Sequence, residues 1–316
     1  MIAIPSIRGV ANRSSMAEQL VFTTDKSSGT WGGSNTAGIF FTDAQRLVVE
    51  YTGTGWSGGT ATVTYGTGTG YGSQLVYVSR GISGAGTKTI TIYPTDSSGQ
   101  RRGRITQFYL TRISTANNTQ IVSANIKGCR NLNTVVINTS ANTLTSLDVS
   151  GLKDLVTLSC NSSGGITSID VTGCSSLETI DASDTLITNL TGLASTASTL
   201  RSLSLGGTPI TSLDVSNFSV LTILSVANCA SLTSLRAANV TFDNYGYSGY
   251  GNYLYTYDGG ANLSNTTAMT TAAMDQFYTD LGTVGQGLIY VFGAGSVGNY
   301  SIATNKNYIV IGTLPP

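Results

Sequence analysis

Three aspartates at matching places open the chemical reading: Asp148, Asp170 and Asp214 each stand fifth in a near-identical heptapeptide, LTSLDVS, ITSIDVT and ITSLDVS. Two carboxylates facing one cleft are all that glycoside hydrolysis requires, so an acidic row has to be weighed as a catalytic set. The iteration argues otherwise, because a catalytic pair is built once whereas a solvated or turn-capping acid recurs with its repeat. The chain contains no histidine. Ser-His-Asp and Cys-His catalysis, HExxH metalloprotease chemistry and histidine-ligated metal sites are therefore all excluded.

The remaining chemical motifs are weak. GTGTGYG at residues 66–72 has the glycine content of a phosphate loop but not the GxGxxG spacing, and it leads into a strand where a nucleotide fold needs a helix. GAGSVG at residues 293–298 has the spacing, but the NYSIATNKN that follows carries no helical pattern. Asp96, Asp243 and Asp258 sit in polar loops suited to Ca²⁺, without the DxDxDG arrangement of a dedicated site. Of the four cysteines, Cys129, Cys174 and Cys229 share one repeat position (IKGCRNL, VTGCSSL, VANCASL), while Cys160 stands apart. No CxxC pair offers zinc ligation. The expectation is reduced thiols stacked in small buried slots, with a disulfide between adjacent rungs left open. No cofactor and no metal is expected.

Aromatic residues are the better binding candidates. Trp31 (GTWGGS) and Trp56 (TGWSGG) are flanked by glycine, which places both on loops, either to stack on sugar faces or to plug one end of the N-terminal unit. Tyr245, Tyr247, Tyr250, Tyr253, Tyr255 and Tyr257 crowd one Gly-rich stretch. Tyrosine with glycine and serine is a composition favoured at recognition surfaces. The other reading of these rings is a half-buried strand pair that packs the end of the molecule.

The elements that position these residues follow from periodicity. LVTLSCN, LETIDAS, LRSLSLG and LTILSVA lie between the three closest copies, so that related segments begin about every 10–13 residues with apolar side chains at positions 1, 4 and 6. Such a pattern stacks aliphatic side chains rung on rung in a solenoid of about 21–23 residues per coil. Few or no helices are expected in it, and TGLASTAS at residues 191–198 is expected to bulge as a loop. Before the repeats, alternating runs at Ile39–Thr42, Arg46–Tyr51, Ala61–Tyr65, Gln74–Ser79, Lys88–Tyr93 and Ile105–Leu110, separated by glycine turns, indicate an antiparallel β-sandwich. After them, Thr270–Leu281 has helical spacing, and Gly287–Phe292 and Tyr308–Ile311 read as closing strands.

The fold class is thus mainly β: an N-terminal antiparallel, jelly-roll-like β-sandwich, a repeat solenoid and a small α+β cap. The expected divisions are an extended arm at 1–18, the sandwich at 19–112, the solenoid at 113–240, and a Tyr/Gly-rich loop with the cap at 241–316. Charged residues make up 10% of the chain and cancel to zero, and Gly (38) is abundant. A neutral surface of this kind does not suit phosphate-driven nucleic-acid binding. No stretch approaches the ~20 apolar residues of a membrane span, and the N-terminus lacks the apolar h-region of a signal peptide.

The phrase LTSLDVSGCxxL resembles leucine-rich-repeat proteins, specifically Bacteroidetes-type and phage forms, most closely over Leu144–Ala237. RLVVEYT, KTITIYP and ITQFYLTRI are similar to the jelly-roll sandwiches of carbohydrate-binding modules. The resemblance implies a non-enzymatic bacteriophage virion protein, a tail or head fibre or adhesin that attaches to a host-surface glycan or protein. Its arm and sandwich would dock to other virion proteins, and it would work as a homo-oligomer through avidity. The rivals are a purely structural decoration or baseplate component, and a secreted or cell-surface bacterial glycan-binding protein.

Overall fold

In the computed structural model, the residues described are 18–24, 29–32, 37–42, 46–54, 57–59, 61–66, 79–96, 98–101, 104–110, 121–138, 144–242, 260–294 and 298–312. The expected arm at 1–18, except Glu18, lies outside them. So do Trp56, Asp243, Asp258 and all six candidate tyrosines from Tyr245 to Tyr257.

The protein is mainly β. The N-terminal strands are β1 (Leu20–Thr24), β2 (Gly29–Gly32), β3 (Ala37–Thr42), β4 (Arg46–Gly53), β5 (Ala61–Gly66), β6 (Ser79–Ile82), β7 (Lys88–Thr95) and β8 (Arg104–Leu110). β5, β4, β7 and β1 pair antiparallel in one sheet, and β2 with β6 in a two-stranded ribbon. Alternation drives this sheet: Leu47, Val49, Tyr51, Ile90, Ile92, Leu20 and Phe22 point inward and are fully buried. β1 and β2 were not legible from alternation, and the run at Gln74–Ser79 lies outside the described residues apart from Ser79.

The repeats send strands alternately to two walls. One wall carries β9 (Ser123–Asn125), β11 (Ser146–Asp148), β13 (Ser168–Asp170), β15 (Leu190–Thr191), β17 (Ser212–Asp214) and β19 (Ser234–Arg236). The other carries β10 (Thr134–Ile137), β12 (Thr157–Ser159), β14 (Thr179–Asp181), β16 (Ser202–Ser204), β18 (Ile223–Ser225), β20 (Gly260–Asn262), β21 (Gly287–Tyr290) and β22 (Tyr308–Ile311). All pairings between successive strands of this second wall are parallel and in register, so Leu158, Ile180, Leu203 and Leu224 stack as one fully interior column. β8 joins it by parallel pairing with β10, and β3 closes the far edge, giving a ten-stranded sheet. β1 in turn pairs with β9. The expected 112/113 division therefore falls between strands that neighbour each other in one sheet, over one continuous core from Leu20 to Tyr308.

The phrase DVSG is a corner. Asp148 Oδ1 accepts the Ser150 N–H (2.9 Å), Asp170 that of Thr172 (2.8 Å) and Asp214 that of Ser216 (2.8 Å). The next residue then turns left-handed, as Gly151 (φ 78°), Gly173 (φ 76°) and Asn217 (φ 67°). Glycine is obligatory at position 192, where a Cβ would lie 2.4 Å from the Thr172 nitrogen. The opposite wall repeats the device with Asp181 and Asn262. The aspartate row expected to be solvated or turn-capping thus caps turns.

Three expectations change. TGLASTAS does not bulge: Leu193–Thr196 form a 3₁₀ turn with Leu193 and Thr196 buried. The hydroxyls of Thr196 and Ser195 donate to Leu193 O and Gly192 O, which makes this tight turn self-sufficient. Pairing of the first wall breaks here, between β15 and β17. The cysteines do not form one stack. Cys129 and Cys174 occupy corners after β9 and β13 with Leu152 between them in the repeat, whereas Cys229 occupies a corner after β18 on the other wall. All four thiols are free and buried. Finally, NYSIATNKN contains a single helical turn, α2 (Ser301–Thr304), because Ser301 N and Oγ both bond Asn299 Oδ1.

The helix expected over Thr270–Leu281 is α1 (Thr271–Asp280), N-capped by the Thr270 hydroxyl on Ala273 N (3.2 Å). It ends the first wall in place of a strand. Val149, Val171 and Val215 each donate their N–H to a carbonyl of the next strand. At the last strand, the equivalent Ala237 N–H goes to Asp280 Oδ2 (3.2 Å), and Asn239 N–H to Asp280 O (3.1 Å). One aspartate therefore substitutes for two main-chain acceptors. Lys306 Nζ covers the helix end through Thr279 O and Leu281 O (both 2.6 Å).

Candidate binding face

The residues that β8 to β21 turn outward form two straight columns on the ten-stranded sheet, at a strand spacing of about 4.8 Å. One runs Gln107, Thr134, Thr157, Thr179, Ser202, Ile223. The other runs Tyr109, Val136, Ser159, Asp181, Ser204, Ser225, Asn262, Tyr290. Short hydroxyl and amide side chains thus fill the middle, and a tyrosine stands towards each end. The columns are close-set: Asp181 is only 6% exposed and Ser202 8%. Asp181 Oδ2 accepts from Asn161 Nδ2 (2.7 Å), its Oδ1 accepts from Ser183 N (3.2 Å), and the Ser183 and Ser204 hydroxyls bond each other (2.7 Å). Burial raises the phenol pKa of Tyr109, keeping it a neutral donor. Flat, pre-ordered and polar with Asp181 as the one ionisable carboxylate in its columns, this face suits hydrogen bonding to a polyhydroxylated or otherwise regular surface.

The matching face of the first wall is more exposed and more charged. Asp148 pairs with Lys127 (2.8 Å) and Arg236 with Asp280 (2.5 Å). Burial would raise the Asp148 carboxyl, but its bonds to Lys127 and Ser150 hold it below the ordinary aspartate value. Its Thr167 and Thr233 hydroxyls are turned to main-chain carbonyls of the preceding rungs.

The tyrosine-rich segment is an insertion in the repeat. Successive strands of the second wall are separated by about 22 residues, but β18 and β20 are separated by 37, and the excess holds residues 243–259. Both flanks are pinned. Phe242 is fully buried with its N–H on Tyr308 Oη (3.1 Å), and Gly260 N–H bonds Thr222 O (2.9 Å). Gly260 and Gly287 are packed so closely that added Cβ atoms would meet Leu288 O at 2.5 Å and Phe242 O at 2.7 Å. The residues that flank Tyr245, Tyr247, Tyr250, Tyr253, Tyr255 and Tyr257 in the chain, Phe242 and Gly260, are therefore held at the starts of β21 and β20.

Trp31 does not sit on a loop. It lies in β2 opposite Arg80 of β6. Asp96, a calcium candidate, closes its own turn: Oδ1 accepts Ser98 N (2.9 Å), Ser98 Oγ (2.6 Å) and Gln100 N (3.1 Å). Among the described residues, no group of three His, Cys, Asp or Glu is placed to hold a metal ion.

Two polar sites escaped the sequence. On the outer face of the N-terminal sheet, Tyr93 Oη donates to Glu50 Oε1 (2.5 Å), and the Arg101 guanidinium lies 3.8 Å over the Tyr93 ring and 3.7 Å from Glu50. Burial, then the Glu50 carboxylate, raises the Tyr93 phenol pKa. Glu18 is buried at the joint between the sheets, accepting from Ile105 N (2.5 Å), Asn131 N (3.2 Å) and Asn131 Nδ2 (2.5 Å). Neither had a signal beyond isolated charge in an apolar context.

Compared with family models, curated proteins and solved structures, the chain matches none. Among the described residues, no helix is long and apolar enough to cross a membrane.

Proposed function

We propose that this chain is a non-enzymatic bacteriophage virion protein, a leucine-rich-repeat solenoid behind an antiparallel β-sandwich, that attaches the particle to a glycan or protein on the host surface. The observation that carries this reading is that six tyrosines fall within one insertion of the chain, residues 243–259, whose flanks Phe242 and Gly260 are bonded to a regular, weakly charged ladder. Rigid anchorage of both ends lowers the ordering cost of a recognition segment, and tyrosine gives large contact area for few lost rotamers. The hydroxyl-rich columns of the ten-stranded sheet add polar contact surface. Many weak sites of this kind on one particle would bind by avidity.

The test is adsorption of the purified full chain to host cells and to a glycan array. It is compared with a variant in which Tyr245, Tyr247, Tyr250, Tyr253, Tyr255 and Tyr257 are all serine. Loss of binding with an unchanged melting temperature is expected. Undiminished binding would remove the tyrosine segment as the contact. Failure of the native chain to bind any host surface, with capsid or tail genes alongside its own, would favour a structural decoration or baseplate component instead.

A further inference from the structure

The two walls end differently. The first is sealed, because α1 packs on β19 and Asp280 takes the N–H groups of Ala237 and Asn239 that another strand would have taken. The second stops at β22, which among the described residues pairs with β21 alone. The Asn307 and Ile311 carbonyls accept from Gly287 of β21 and from Val291 just after it (3.1 and 2.8 Å). Strand alternation therefore turns the N–H and C=O of Val310 to the open side.

Among the described residues, β22 itself carries neither a charge nor a proline. Edge strands are ordinarily blunted by charge, proline or a covering helix. The strand reads Tyr-Ile-Val-Ile, and after Asp280 the chain holds one charged residue, Lys306, whose ammonium is already committed to Thr279 O and Leu281 O. Ile309 is 44% exposed on β22. Phe292 and Tyr300, on the adjoining turns, are likewise among the few large apolar side chains left open in the described residues.

We infer that β22 is a homotypic docking strand, on which a second copy of this chain adds its own β22 antiparallel about a two-fold axis. An uncharged strand that offers no charge for a partner to recognise is best matched by itself, and an isologous contact closes at two copies. On the axis, Val310 of each copy exchanges N–H···O=C bonds with Val310 of the other, and Ile309 faces Ile311. The ten-stranded sheet, with its hydroxyl columns, then continues across the dimer. This inference does not depend on the proposed attachment role.

Sedimentation or light scattering of the full chain tests it, at concentrations where a micromolar dimer would be filled. The native protein should have twice the monomer mass. Ile309→Lys with Ile311→Lys sets like charges opposite each other across the axis, as does Ile309→Glu with Ile311→Glu. Each double variant should run as a monomer, and an equal mixture of the two should recover the dimer mass. Val310→Pro removes an N–H that faces away from β21, so it should give a folded monomer and decides the matter if the charged variants unfold. A monomeric native protein overturns the inference, and so does dimerisation of a folded Val310→Pro chain.

Discussion

Asp170 sits at the end of β13, where its carboxylate accepts the Thr172 N–H and prepares the left-handed Gly173. Asparagine retains an oxygen for that bond, so Asp170→Asn should stay within about 0.5 kcal/mol of the native stability in a denaturant titration. Asp170→Ala removes the acceptor and should cost about 1 kcal/mol. Leu147 lies one residue before the equivalent Asp148 and is 1% exposed, so Leu147→Ala should cost roughly 2–5 kcal/mol. A neutral Leu147→Ala would contradict its place in the interior row it forms with Ile169 and Leu190 on the first wall. The thiols give a second check. Burial raises all four, Cys174 to about 11 and Cys160 further. Iodoacetamide at pH 8 should therefore leave the native protein unlabelled and modify every cysteine once it is unfolded. The role of the aspartates was legible in the sequence because corner, acid and glycine recur together. The separation of Cys129 and Cys174 from Cys229 was not, since both walls use the same small-residue corner and the motif does not record which wall it turns.

Asp280 does at the end of one wall what a whole strand does elsewhere, and its bonding makes that seal depend on pH. Burial alone would raise its pKa, but Arg236, Gln276 and the Ala237 N–H outweigh this and hold the carboxyl below the ordinary aspartate value. A carboxyl that titrates lower in the folded than in the unfolded chain contributes its stability above the unfolded pKa of about 3.9 and loses it as the pH falls through the folded value. Asp280→Asn should therefore lower the melting temperature at pH 7, and the gap to the native protein should narrow as the pH falls below the unfolded value of about 3.9. A gap constant from pH 7 to pH 2 would show that the charge of Asp280 is not what holds α1 on β19. The helix itself was legible, from the helical spacing of Ala272/Ala273, Gln276/Phe277 and Tyr278/Leu281. Its use as a substitute strand was not, because Arg236 and Asp280 lie 44 residues apart and no local pattern couples them.

At the scale of the molecule, the joint between the N-terminal strands and the repeats decides how the chain unfolds. Composition shifts near residue 112, from glycine-separated alternation to the leucine pattern, and a sequence reader divides the chain there. The contacts that cross the point are long-range pairings, which alternation and repeat period cannot show: β8 beside β10, β1 beside β9, and Glu18 bonded to both Ile105 and Asn131. Phe22 of β1 stacks on Phe108 of β8 at 5.1 Å within the same core that runs on into the ladder. Separate units joined by a linker would melt separately, whereas ladders that share strands and core transmit unfolding through nearest-neighbour interfaces. Calorimetry should accordingly give one transition, whose calorimetric and van't Hoff enthalpies agree. Phe22→Ala should lower that single midpoint without splitting it. Its expected cost is about 3–5 kcal/mol, as for a buried aromatic. Two resolved transitions in the native protein, the first releasing only residues before 112, would show that the shared strands do not couple the two halves.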